Sequence, residues 1–147
     1  MLFRSPTTKT EIDVIVFDKK ISIKTLSGIN YGGVKLIWTV DRDKSIEFKN
    51  NYKPVCDILL VRVNWNSEGG LFLIPQKVQE QVIDFLGIDE YIKLPKQNTN
   101  PRGVEISSSA LKMLLNNNET KSIPIFWKKE VIQYNTYSKW IELWQQD

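Results

Sequence analysis

Asp13, Ser22 and Lys24, in the stretch TEIDVIVFDKKISIKT, have the types and the spacing to bring a carboxylate, a hydroxyl and an ammonium together. Ile12, Val14 and Val16 fall on one parity of residues 11–17, and Ile21 and Ile23 repeat the alternation over residues 20–25. Alternation of this kind marks half-buried strands, and the polar break at Asp18 and Lys19 has the length of a tight hairpin turn. A reversal there pairs Phe17 with Lys20 and sets Asp13 opposite Lys24, with Ser22 two positions away on the same side. The other side, carrying Ile12, Val14, Val16, Ile21 and Ile23, is expected to face the core.

Such a group suits phosphodiester hydrolysis, in which a divalent cation polarises a phosphoryl oxygen and lowers the pKa of an attacking water. Asp13 can hold the metal. Lys24 can orient or deprotonate the water, or neutralise charge on the phosphate, and a backbone carbonyl beside Ser22 can add an oxygen ligand. Mg²⁺ fits best, because it prefers oxygen ligands and keeps several waters. The plain alternative is a cross-strand ion pair on a sheet surface, which contributes at most about 1 kcal/mol and does no chemistry.

Composition narrows the mechanisms. The 147 residues include no histidine and a single cysteine, Cys56, which excludes imidazole bases, Ser-His-Asp or Cys-His pairs, zinc fingers and disulfide frameworks. Hydrolysis would have to run on carboxylates, lysine and a hard cation. A net charge of +3 is compatible with a polyanionic partner without requiring one. With 41% hydrophobic residues, the chain is expected to form one domain over 1–147. No apolar run reaches the roughly 20 residues of a membrane span, and no signal segment is expected, so a cytoplasmic protein is predicted.

Further elements follow from pattern. Residues 34–40 alternate and predict a third strand, and 41–52 predict a short helix ended by Pro54. Residues 57–64 are apolar enough for a strand covered on both faces. Residues 67–70 predict a turn and 71–74 a strand, then Pro75 opens a helix with Val78, Val82 and Phe85 as its stripe and Gly87 as its stop. Residues 91–103 predict a long polar loop. Val104 and Ile106 form a strand before a helix capped by Ser107 or Ser108, packing through Ala110, Leu111, Leu114 and Leu115. Residues 123–127 make a last strand, and Trp140, Ile141 and Trp144 form a helical stripe expected to dock on the domain.

TEIDVIVFDKKISIKT resembles the PD-(D/E)xK nucleases, and within them the type II restriction endonucleases. The resemblance implies an α/β fold with a restriction-endonuclease-like central mixed β-sheet flanked by helices. Its three-strand meander would be 11–17, 20–25 and 34–40, followed by the helix 41–52 and the strand 57–64. It further implies that Asp13 binds the metal and Lys24 is the catalytic lysine of a Mg²⁺-dependent DNA endonuclease. Two departures stand out. Ser22 occupies the place where that family usually carries an acid, leaving Glu11 as the nearest substitute ligand beside Asp13 and Ser22, and only ten residues precede Glu11, which leaves little room for the family's first helix.

The polar loop offers a way to read double-stranded DNA. Lys93 and Lys96 suit phosphates, Arg102 suits guanine, and Gln97, Asn98 and Asn100 suit adenine; an ordinary solvated loop has the same composition. Arg62 and Lys35 could be phosphate contacts or structural ion pairs. Cutting both strands of a duplex favours a homodimer. Two competing readings keep the sequence but change the function: a DNA-binding relic that has lost its metal site, and a protein-interaction domain using Trp65 or Trp127.

Overall fold

The computed structural model describes residues 11–96, 103–131 and 135–145. Strand β1 (Val14–Val16) returns antiparallel as β2 (Lys19–Ser27), so both predicted strands form. The reversal is at Phe17 and Asp18, one residue earlier than predicted, with both in the left-handed region (φ 47° and 65°). Two consecutive positive φ values are what a tight hairpin turn matched to strand twist requires. Val14 therefore pairs with Ile21 and Val16 with Lys19, and the register expected from a turn at Asp18 and Lys19 is corrected by two positions. A shift of two leaves every side chain on its expected side but changes who stands opposite whom.

The third predicted strand shrinks to β3 (Lys35–Ile37) and does not extend the hairpin. Gly28 (φ 94°) and Gly33 (φ 91°) turn the chain away from β2. Val34 and Leu36 then enter the core, and β3 joins a separate sheet. Helix α1 (Arg42–Asn51) follows as predicted; Asp41 caps it by accepting from the Lys44 N–H. The chain next lays β4 (Asp57–Val63) parallel to β2, pairing Ser22 with Ile58 and Lys24 with Leu60.

Strand β5 (Ser67–Ile74) begins earlier than predicted, because the turn lies at Trp65 and Asn66 and the two glycines belong to the strand. Helix α2 (Gln76–Leu86) ends at Gly87 (φ 80°), followed by the short α3 (Ile88–Tyr91) and β6 (Ile92–Lys93). Helix α2 buries Val78 and Val82 as predicted, but Phe85 is exposed and Gln79 is buried in its stead. Gln79 is tolerated because its Nε2 donates to the Cys56 carbonyl at 2.9 Å. Strand β7 (Val104–Ile106) runs between β3 and β6. Helix α4 (Ser108–Asn116), capped by Ser107, buries Ala110, Leu111 and Leu114. Strand β8 (Lys121–Trp127) and helix α5 (Thr136–Trp144) complete the chain order.

The main sheet has the order β1-β2-β4-β5-β8, the small one β3-β7-β6. Leu26, Ile58, Leu60 and Ile74 are buried on one side of the main sheet, in one cluster with the apolar residues of α2 and α4. This is the side that also carries Ser22, so the expected location of the core is reversed. The side with Ile21, Ile23, Leu59, Val61 and Val63 has no buried side chain, which corrects the two-sided burial expected for β4. Alternation separates two faces of a strand without saying which one helices will cover. Helix α5 forms, but Trp140, Ile141 and Trp144 are all exposed, so the predicted docking is not found. Among the described residues no helix is long and apolar enough to cross a membrane.

Gly69 sits where a Cβ would collide with the Arg62 carbonyl and with Trp127 Nε1 at 2.7 Å. The backbone and a packed indole cannot both retreat, so Gly69→Ala is expected to destabilise the protein by about 2 kcal/mol, the usual scale of overpacking. A thermal melt should show the midpoint falling by roughly 4–8 °C; an unchanged midpoint would mean that the indole swings aside freely.

Candidate active site

The ladder of β1 with β2 ends at Val14 and Ile21, and Glu11 and Asp13 lie just before it. The Asp13 N–H donates to the Ile21 carbonyl at 3.0 Å, which holds this residue to β2 beyond the formal end of β1. Its carboxylate Oδ2 accepts from Ser22 Oγ at 3.1 Å and from the Ile23 N–H at 2.6 Å. A charged acceptor held by two donors is fixed in orientation. Asp13 itself is exposed, whereas the Ser22 side chain is completely buried, so the hydroxyl meets Asp13 and not solvent.

Glu11 stands beside this pair in a different environment. Burial raises its carboxyl above the usual carboxylate value, Lys24 and a hydrogen bond from Tyr52 pull it back in part, and Asp13 raises it further. The Tyr52 hydroxyl donates to Glu11 Oε1 at 3.4 Å. Tyr52 comes from the end of α1 and stacks against Tyr91 at 6.2 Å between ring centroids, while Phe48 tilts against it at 5.3 Å. Burial pushes the Tyr52 and Tyr91 hydroxyls upward, so both stay protonated. Cys56, on the same side, is pushed up to about 11 by burial and by Glu11, with Lys24 opposing, which keeps it a thiol. A groove of about 650 Å³ opens next to Glu11, lined by Ile12, Phe48 and Tyr52 with Lys44 and Lys53.

The grouping is therefore one exposed carboxylate with fixed orientation, one desolvated carboxylate, and a half-buried lysine between strands. Among the described residues no group of three or more Asp, Glu, Cys or His could hold a metal ion. Mg²⁺ does not need three, since it is commonly held by one or two carboxylates and completes its shell with water. Glu11, desolvated and repelled by Asp13, is the kind of group whose ionisation a cation would favour. The donor set fits a hard divalent cation.

Of the remaining predicted residues, Lys93 lies in β6 with its ammonium 3.8 Å from Glu105, which also holds Lys35 at 2.6 Å. Lys96 is exposed, and Gln97, Asn98, Asn100 and Arg102 lie outside the described residues. Arg62 stacks over Tyr31 at 4.7 Å and donates to the Ile29 carbonyl at 2.7 Å. Sequence reasoning missed Tyr52. Its only signal was a tyrosine closing the predicted helical segment 41–52.

A mixed sheet carrying an acid and a lysine on its edge hairpin, with helices packed on that side, is the restriction-endonuclease-like fold. The chain belongs to the family described as restriction endonuclease ThaI, which matches residues 3–146. It is also similar to a restriction endonuclease solved in complex with substrate DNA, at 51% identity and a TM-score of 0.87, over 97% of this chain and 68% of that one. Among curated proteins none matches the chain.

The Glu11 carboxyl titrates above its unfolded value of 4.5, so the unfolded chain loses its proton first and folding weakens as pH rises through the folded value. Glu11→Gln removes that penalty. In metal-free buffer the variant should melt a few degrees above the parent at pH 8, with the difference closing as pH falls to 4. A variant that melts lower than the parent at pH 8 would mean that the Lys24 attraction outweighs burial.

Proposed function

We propose that the protein cleaves phosphodiester bonds of double-stranded DNA at a site made by Asp13, Glu11, Ser22 and Lys24, with Mg²⁺ as cofactor. One observation carries this reading: Asp13 is clamped by Ser22 and Ile23 beside Glu11, with Lys24 on the same side of the hairpin, in a chain of restriction-endonuclease family. Bound Mg²⁺ would polarise the scissile phosphate and lower the pKa of the attacking water. Asp13 and Glu11 are its carboxylate ligands. Ser22 acts through Asp13 by fixing Oδ2, and Tyr52 orients Glu11. Lys24 orients the attacking water and neutralises charge on the phosphoryl oxygens. With no histidine in the chain and Cys56 held as a thiol, neither an imidazole nor a thiolate competes with water for the role of nucleophile.

In the same reading residues 1–147 form one nuclease domain that works as a homodimer, one copy for each DNA strand. The segment from Lys93 to Arg102 contacts DNA: Lys96 grips phosphate, Gln97, Asn98 and Asn100 read adenine, and Arg102 reads guanine. Lys93, shared with Glu105, anchors the base of that segment. A DNA substrate and the lack of any spanning helix among the described residues support a cytoplasmic location.

Incubation of plasmid DNA with the protein and Mg²⁺ should give discrete fragments. Lys24→Ala and Asp13→Ala should each lower the rate by roughly 10²–10⁴-fold while leaving DNA retention in Ca²⁺ intact. Calorimetric Mg²⁺ binding should vanish in Asp13→Ala. Retention of DNA without cutting in any of several divalent ions would identify a non-catalytic DNA-binding protein.

Ser22→Ala leaves Asp13 with a single donor. Loss of one hydrogen bond to a charged group, about 1.5 kcal/mol, corresponds to a roughly tenfold slower cleavage. The deficit should shrink at high Mg²⁺, because the ligand is misoriented and not removed; a loss unaffected by Mg²⁺ would place Ser22 in the chemical step.

A further inference from the structure

The small sheet turns one face to the core and the other outward. Leu36, Ile92, Val104 and Ile106 are buried on the inner face, while the register sets Lys35, Glu105 and Lys93 side by side across β3, β7 and β6 on the outer one. Glu105 is the single carboxylate of this row and holds both ammoniums, Lys35 at 2.6 Å and Lys93 at 3.8 Å, so the row keeps an excess of positive charge. Trp38 follows directly after β3, 72% exposed, with its ring centroid 5.0 Å from the Lys35 ammonium. One exposed indole alone says little about function. What distinguishes Trp38 is its place: its neighbour Ile37 lines the groove that opens beside Glu11, and Lys93 stands at the start of the segment proposed to read bases. The indole and the lysine row therefore bridge the candidate cleavage site and that segment.

We propose that Trp38 and the Lys35–Lys93 row form a track along which the DNA backbone runs from the cleavage groove to the reading segment. The inference rests on the proposed DNA substrate and adds Trp38 and Lys35 to its contacts. Two ammoniums gathered on one carboxylate stand within reach of the same or neighbouring phosphates, which they grip without reading sequence. The indole offers a flat apolar face to the deoxyribose between those phosphates, on a ring that already carries a cation. An acidic protein surface would suit the lysines equally well. The track, however, is continuous at one end with the groove beside Glu11, in a chain of restriction-endonuclease family, and this continuity selects DNA. Glu105 has the part of holding both lysines in place before DNA arrives, and its own charge opposes the phosphates once they are there.

Binding of a fluorescent DNA duplex in Ca²⁺, followed by anisotropy across a range of salt, tests the track apart from cleavage. Trp38→Ala should weaken binding roughly tenfold, and Trp38→Phe should restore most of it. Lys93→Ala should weaken it too and lower the slope of log affinity against log salt by about one. Glu105→Gln should tighten binding, because it removes the only carboxylate of the row, and a damaged fold would not produce a gain. Phe126→Ala, a comparably exposed aromatic on the far edge strand β8, should change nothing. Trp38 and Lys93 are both exposed, so far-UV circular dichroism of their variants should match the parent. A parent that binds DNA while Trp38→Ala and Glu105→Gln leave the affinity unchanged would overturn the track and leave the nuclease reading standing. A parent that binds no DNA would remove that reading and the track with it. A dimer of the chain alone that Trp38→Ala dissolves, with DNA affinity unchanged, would assign this face to a second copy and overturn the proposal.

Discussion

Everything at the site depends on the left-handed pair at Phe17 and Asp18. Neither residue is glycine, so both are held in a region that costs L-residues roughly 1–2 kcal/mol each. The strand pairing on either side must offset that cost, and it does so only in one register. In that register the Ser22 hydroxyl and the Ile23 N–H both reach the same Asp13 carboxylate oxygen. A slip of one residue would put Ser22 and Lys24 on the bare side of the sheet and separate both from Asp13. The orientation of one carboxylate is therefore set by a turn four residues away.

The two acids of the site are unlike because the fold treats them differently. Asp13 is exposed and held by donors, so its geometry is determined while its charge stays solvated. Glu11 is desolvated against Tyr52 and faces Asp13, with Lys24 as partial compensation. One ammonium serving two carboxylates leaves a local excess of negative charge beside a groove. Under the proposed function this imbalance favours a divalent cation over a tight internal ion pair, since a fully neutralised cluster would have nothing to gain from metal.

Much of this arrangement was legible in the sequence. Period-two alternation located β1 and β2, a nearly continuous apolar run located β4, Pro54 bounded α1, a capping serine located α4, and Asp13, Ser22 and Lys24 were placed on one side of a hairpin. The resemblance of the same segment to restriction endonucleases led to the family that the chain belongs to. What escaped was information that local pattern does not carry. The exact turn depended on whether Phe17 would accept a positive φ, and most residues do not. The assignment of core and open face was inverted because β2 carries its isoleucines, Ile21 and Ile23, on the open side, while its covered side carries Ser22, Lys24 and Leu26. Residues 34–40 alternate like a neighbouring strand, yet two glycines carried them into another sheet. Glu11 and Tyr52 meet across 41 positions, a distance over which a single sequence has no periodicity to read.

The open face and the site are two sides of the same strands. Val14, the neighbour of Asp13, projects to the uncovered side, and Ile21 and Ile23 flank Ser22 in the same way. A strand held on one side only is free to bend about its long axis, and β1 is also short and at the sheet edge. Cover on the apolar side would restrict that bending without touching a functional group, because the constraint passes through the backbone between adjacent residues. The placement of Asp13 is thus coupled to whatever packs against Val14, and the apolar surface is as much a part of the site's mechanics as the hydrogen bonds on the other side.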